Sequence, residues 1–98
     1  MKYTLENNIL TLYLEGELNS YTSKDVEKEI DEIMSGNTFG KVLLDLKELR
    51  YISSAGLRII VRIKQQCDDT SLINTPSGVY DIFKMVGFQS MIKIEKLQ

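Results

Sequence analysis

The stretch Val42-Leu43-Leu44-Asp45-Leu46-Lys47-Glu48-Leu49-Arg50-Tyr51-Ile52-Ser53-Ser54-Ala55-Gly56-Leu57 decides how the chain folds. It begins with a short continuous apolar run ended by Asp45. That is the pattern of a strand covered on both faces, and so central in its sheet. Leu46 to Ile52 continues as a loop or a second extended piece. Ser53-Ser54-Ala55-Gly56 then opens a helix that runs to about Cys67. Along it, Leu57, Ile59, Ile60, Val61, Ile63 and Cys67 form a wide apolar arc broken only by Lys64. Arg58, Arg62, Gln65 and Gln66 line the other side. An ordinary surface helix carries a narrower stripe. This one either packs against the sheet and a neighbouring helix together, or keeps part of its face for a partner.

Upstream, Lys2 to Leu5 reads as a first strand, Asn7-Asn8 as a turn and Ile9 to Leu14 as the returning strand of a hairpin. Gly16-Glu17-Leu18-Asn19 ends it in a loop. Ser20-Tyr21-Thr22-Ser23 offers capping hydroxyls for a helix whose apolar face is Val26, Ile30, Ile33 and Met34, with Gly36 as its C-terminal cap. Downstream, Ser71 to Asn74 is a strand. Thr75-Pro76 starts a helix with a capping hydroxyl followed by Pro at the first helical position. Val79, Ile82, Phe83 and Val86 give its apolar face, Gly87 closes it, and Met91 to Ile94 is a last strand. The order is β-β-α-β-α-β-α-β. It predicts one α/β domain over residues 1–98, with a mixed sheet of four to five strands and about three to four helices.

Composition narrows the chemistry. The 98 residues include no His, no Trp and a single Cys, and the net charge is −2. Thiol–imidazole and Ser–His catalysis and His-based metal sites are excluded. Asp45 and Glu48 read as a strand-end residue and a solvated loop charge rather than an acid/base pair. Tyr13, Tyr21 and Tyr51 read as packing residues, because no basic run accompanies them as a nucleic-acid platform requires. Cys67 reads as a small buried residue, consistent with a reducing compartment. The polar N-terminus has no apolar secretory core, and no apolar run approaches the ~20 residues of a membrane span. The expectation is therefore a cytoplasmic, non-enzymatic protein with no cofactor, no metal and no nucleic-acid or membrane partner.

The charge is split unevenly. Residues 1–40 hold three bases against eight acids, and residues 41–98 nine bases against six acids. The simpler reading is complementarity between neighbouring helices, the other a partner face. At Ser53-Ser54, the free first-turn N–H groups and the positive helix end could hold an anion. Small Ala55 and Gly56 would let another backbone approach. Plain N-capping by Ser53 or Ser54 explains the same residues.

Three segments in order resemble the signature of STAS domains, specifically bacterial anti-sigma factor antagonists. They are Glu15-Gly16-Glu17-Leu18-Asn19-Ser20-Tyr21-Thr22, Leu44-Asp45-Leu46 with Ile52-Ser53-Ser54-Ala55-Gly56-Leu57, and Ile73-Asn74-Thr75-Pro76 through Met85-Val86-Gly87-Phe88. The resemblance implies that Ser54 is phosphorylated by a partner serine kinase, the anti-sigma factor. It implies that the unmodified protein binds this kinase and releases its sigma factor, and that a phosphatase could reverse the mark. The implied partner surface comprises Asn19, Ser20, Tyr21, Thr22, Ser53, Ser54, Ala55, Gly56, Arg58 and Arg62. Two positions depart from the family pattern: Ser53 and Asn19 stand where acids are common. The alternative is a STAS-like module that is not phosphorylated and binds a protein or nucleotide in a signalling assembly.

Overall fold

Asn7 and Asn8 both take positive φ, 52° and 67°. A two-residue hairpin turn needs this geometry, and Asn tolerates it better than most residues. In the computed structural model, which describes residues 1–98, this turn joins β1 (Tyr3–Glu6) to β2 (Ile9–Leu18) as an antiparallel pair. The rest follows as α1 (Ser23–Ser35), β3 (Lys41–Ile52), α2 (Ser54–Gln66), β4 (Thr70–Thr75), α3 (Ser77–Met85), a single 3-10 turn (Phe88–Ser90) and β5 (Lys93–Lys96).

The strand order across the sheet is β1-β2-β3-β4-β5, and β2 to β5 pair in parallel. Each parallel step crosses over through one helix. Right-handed crossovers that all step the same way put every helix on one face of the sheet. Burial follows this rule. Leu10, Leu12, Val42, Leu44 and Leu72 are fully buried and share one core with Ile30, Ile60, Val79 and Phe83. The alternate positions Ile9, Thr11, Leu43 and Asp45 are only half-buried. The expectation that both faces of Val42–Leu44 are covered is therefore corrected: β3 is central in the sheet, but only one face carries helices. Truncating a fully buried core residue such as Leu44 to Ala costs about 2–5 kcal/mol.

Gly16, read from sequence as part of a loop, instead lies inside β2. Its φ of 72° accommodates a bulge, and the β2–β3 register shifts on both sides of it. Pairing thus continues to Leu18 opposite Ile52. Leu46 to Ile52 is the second extended piece, continuous with the first. Gly36 ends α1, but at a φ of −89°, so it is not a left-handed cap. Gly87, at 77°, is. Pro76 precedes the first helical residue of α3, and Thr75 makes no capping hydrogen bond. Its hydroxyl is buried without a partner. Val86 lies beyond α3 and is exposed, and the 3-10 turn displaces the last strand to Lys93. No helix is long and apolar enough to cross a membrane.

Candidate functional site

The site lies where β2 and β3 end side by side. The Ser53 amide donates to the Leu18 carbonyl at 2.8 Å, which ties the start of α2 to the end of β2. Gly56 sits in the first turn of α2, buried against both strands. A Cβ there would stand 2.6 Å from Ile52 Cγ1, 2.8 Å from Leu18 Cγ and 3.0 Å from the Leu18 carbonyl oxygen. The close approach that Gly56 permits is thus internal, of α2 onto the sheet, rather than that of another molecule.

The loop from Asn19 to Thr22 is braced by its own side chains. Asn19 Oδ1 accepts the Tyr21 and Thr22 amides at 2.8 and 3.1 Å. Thr22 Oγ1 accepts the Asn19 amide at 3.0 Å and donates to the Glu17 carbonyl at 2.8 Å. Asn and Thr favour such local bonds, which compete with regular structure. The result is a fixed loop that holds Tyr21 91% exposed. Thr22 occupies the N-cap position of α1 but makes no side-chain cap bond.

Ser54 is the first residue of α2, and it is exposed. Ser53 is the N-cap, yet its side chain makes no capping bond, and its Oγ is buried without a partner. The first backbone bond of the helix runs from the Leu57 amide to the Ser53 carbonyl at 2.9 Å. Neither serine is therefore committed to side-chain capping, contrary to the simplest sequence reading. Ser20, Ala55 and Arg58 come together with Ser23, Lys24 and Glu27 around a surface cleft of about 290 Å³ between the starts of α1 and α2. Lys24 in this cleft escaped the sequence reading, since it reads as one more solvated charge on α1.

Arg62 lies two turns further along α2 and is engaged by α1. It bonds Glu27, and its Nη2 stands 3.3 Å from Asp31. The Glu27 hydrogen bond, then the charges of Asp31 and Glu27, hold the guanidinium above its ordinary pKa. This contact is the helix–helix complementarity expected from the uneven charge. Tyr21 and Tyr51 are not packing residues. Tyr51 is 45% exposed and pairs with Glu17 one step before the Leu18–Ile52 pair. Its outward position could have been inferred, because it precedes apolar Ile52 and strand neighbours face opposite ways.

Comparison with known proteins identifies the family and the fold. The STAS domain profile matches residues 1–97. BtrV of Bordetella bronchiseptica, named as a candidate anti-sigma factor antagonist, is 31% identical over 101 residues, covering 96% of this chain and 85% of that protein. A solved structure of a candidate anti-sigma factor antagonist from Thermotoga maritima superposes with a TM-score of 0.85 at 21% identity, over 97% of this chain and 85% of that one. The anti-sigma factor antagonist SpoIIAA in its unphosphorylated form gives 0.73 at 16% identity, over 95% and 87% of the two chains. Its phosphorylated form from Bacillus gives 0.64 at 15%, over 95% and 90%. The profile match along nearly the whole length and the Bordetella relative place this chain in the STAS domain family, among relatives named anti-sigma factor antagonists.

Proposed function

We propose that this protein is an anti-sigma factor antagonist whose partner is an anti-sigma factor serine kinase, and that phosphorylation of Ser54 switches the interaction off. The observation that carries the reading is the placement of Ser54. It is exposed, it begins α2, and it lies beside a self-braced loop that presents Tyr21. The unmodified surface docks on the kinase, which then releases its sigma factor. The names of the Bordetella relative and of SpoIIAA support this class of partner.

The switch is electrostatic. In the kinase, the Ser54 hydroxyl oxygen attacks the γ-phosphorus of ATP. The bond to the bridging oxygen breaks, ADP leaves, and the hydroxyl proton passes to a base on the kinase. The serine gains a charge of about −1.5 to −2. The N-terminus of α2 tolerates this charge within the fold. The docked interface does not, because the phosphate must be desolvated against a surface shaped for a hydroxyl. A phosphatase acting on the phosphoserine restores binding. No change of fold is needed.

The test is to incubate the protein with ATP alone, and then with ATP and the cognate kinase, and to map the phosphate. Phosphate on Ser54 only in the second mixture supports the switch. Tight binding of ATP in the first, with no transfer in the second, supports a nucleotide-binding module instead. Equal affinity of wild type and Ser54→Asp for the kinase would overturn the reading.

A further inference from the structure

Parallel strands are normally covered on both faces. Here β2 to β5 are parallel, and one face of their sheet carries no helix. Three rows of side chains run across that face. The middle row runs in register from β1 to β5 through Thr4, Thr11, Leu43, Ser71 and Lys93, and its one charge, Lys93, stands at the β5 edge. The row on one side holds Glu6, Ile9 and Lys41 on β1, β2 and β3. On the other side stand Lys2, Tyr13 and Asp45: Tyr13 pairs with Asp45, and the Lys2 ammonium lies 5.0 Å from the centre of the Tyr13 ring.

Over β1 to β3 these outer rows are complementary to each other, position by position. A two-fold axis lying in the plane of the face along the middle row would place one copy over another. Each outer row would then cover the opposite row of the second copy. Glu6 would face the second copy's Lys2, Ile9 its Tyr13 and Lys41 its Asp45, each twice by symmetry. The middle row would pack on itself through Leu43 and Thr11, with the one like-charge contact, Lys93 on Lys93, left at the β5 edge. We propose that a second copy of this chain covers the open sheet face, forming a two-fold dimer. The α2 N-terminus belongs to the helix layer on the other side of the sheet, so Ser54 stays free in both protomers.

The experiment is sedimentation equilibrium of the purified chain up to about 1 mM, at salt from about 0.05 M to about 0.5 M. A dimer is expected at low salt, weakened by added salt. Glu6→Lys is expected to raise the dissociation constant roughly fivefold, because two symmetric surface ion pairs turn repulsive. The exchanged double variant Lys2→Glu/Glu6→Lys is expected to restore it. Leu43→Asp is expected to give a monomer. Thr11→Arg, in the same row, replaces it as the test should circular dichroism show that Leu43→Asp does not fold. A wild type that stays monomeric throughout overturns the proposal. So does a dimer that these substitutions leave unchanged.

Discussion

The Leu18 carbonyl accepts the Ser53 amide at 2.8 Å, and the Leu18 side chain fills the space that a Cβ on Gly56 would need. One residue at the end of β2 thus fixes both the height and the closeness of α2. The position of Ser54 follows from these two contacts rather than from its own side chain.

Gly56→Ala therefore tests the platform beneath the site. The new methyl would meet Ile52 Cγ1 at 2.6 Å and Leu18 at 2.8 Å, in a core with little slack. Overpacking of this kind costs about 1–3 kcal/mol. For a domain of this size each kcal/mol lowers the melting temperature by roughly 4–8 °C. Thermal unfolding followed by circular dichroism reads it. A melting temperature equal to wild type would mean that α2 is free to shift.

Removing the brace of the Asn19–Thr22 loop separates two roles of Asn19. Asn19→Ala deletes the acceptor of the Tyr21 and Thr22 amides and is expected to destabilise by about 1 kcal/mol. Asn19→Asp keeps an acceptor at that place, so its stability is expected to lie within about 0.5 kcal/mol of wild type. Urea unfolding of the two variants checks both values. Equal losses in both would show that the amide group itself, not the acceptor, holds the loop.

Much of this was legible in the sequence because the patterns are local. The period of Val26, Ile30, Ile33 and Met34 gave α1, and the Asn7-Asn8 pair gave the hairpin. The place of Ser54 at the start of α2 was legible from the helix pattern that follows it rather than from its own chemistry. What stayed hidden is tertiary. Gly16 reads as a loop residue until β3 is present to pair across the bulge. The bare face of β3 is set by the direction of three successive crossovers, which the Val42-Leu43-Leu44 run does not encode. The fit of Gly56 against Leu18 joins residues 38 positions apart in the chain.

The buried hydroxyl of Thr75 offers a gain in stability. The residue is fully buried, and its Oγ1 has no hydrogen-bond partner. An unpaired buried polar group costs about 1–3 kcal/mol, and an apolar group of the same shape removes that cost. Thr75→Val keeps the β-branched shape suited to β4. Its urea midpoint is expected to rise by about 1 kcal/mol of stability with an unchanged slope. A loss of stability instead would point to a water bound at that hydroxyl.

Tyr21 is held 91% exposed by a loop that its neighbours have already ordered. In the free protein the ring has little packing to lose, so Tyr21→Ala is expected to change stability by less than about 0.5 kcal/mol. In the proposed complex the same ring is a preorganised aromatic anchor, the type of residue that dominates binding energy. Loss of about 2 kcal/mol there corresponds to a roughly thirtyfold weaker complex with the kinase, readable by calorimetric titration. Ser54→Asp should weaken the same complex through charge and desolvation, with the ring still in place. Mutation of an exposed residue with no fold penalty but a large binding penalty assigns Tyr21 to the interface. Full-strength binding by Tyr21→Ala, with Ser54→Asp still impaired, would place the anchor elsewhere on the surface, and the exposed Tyr51 would be next to replace.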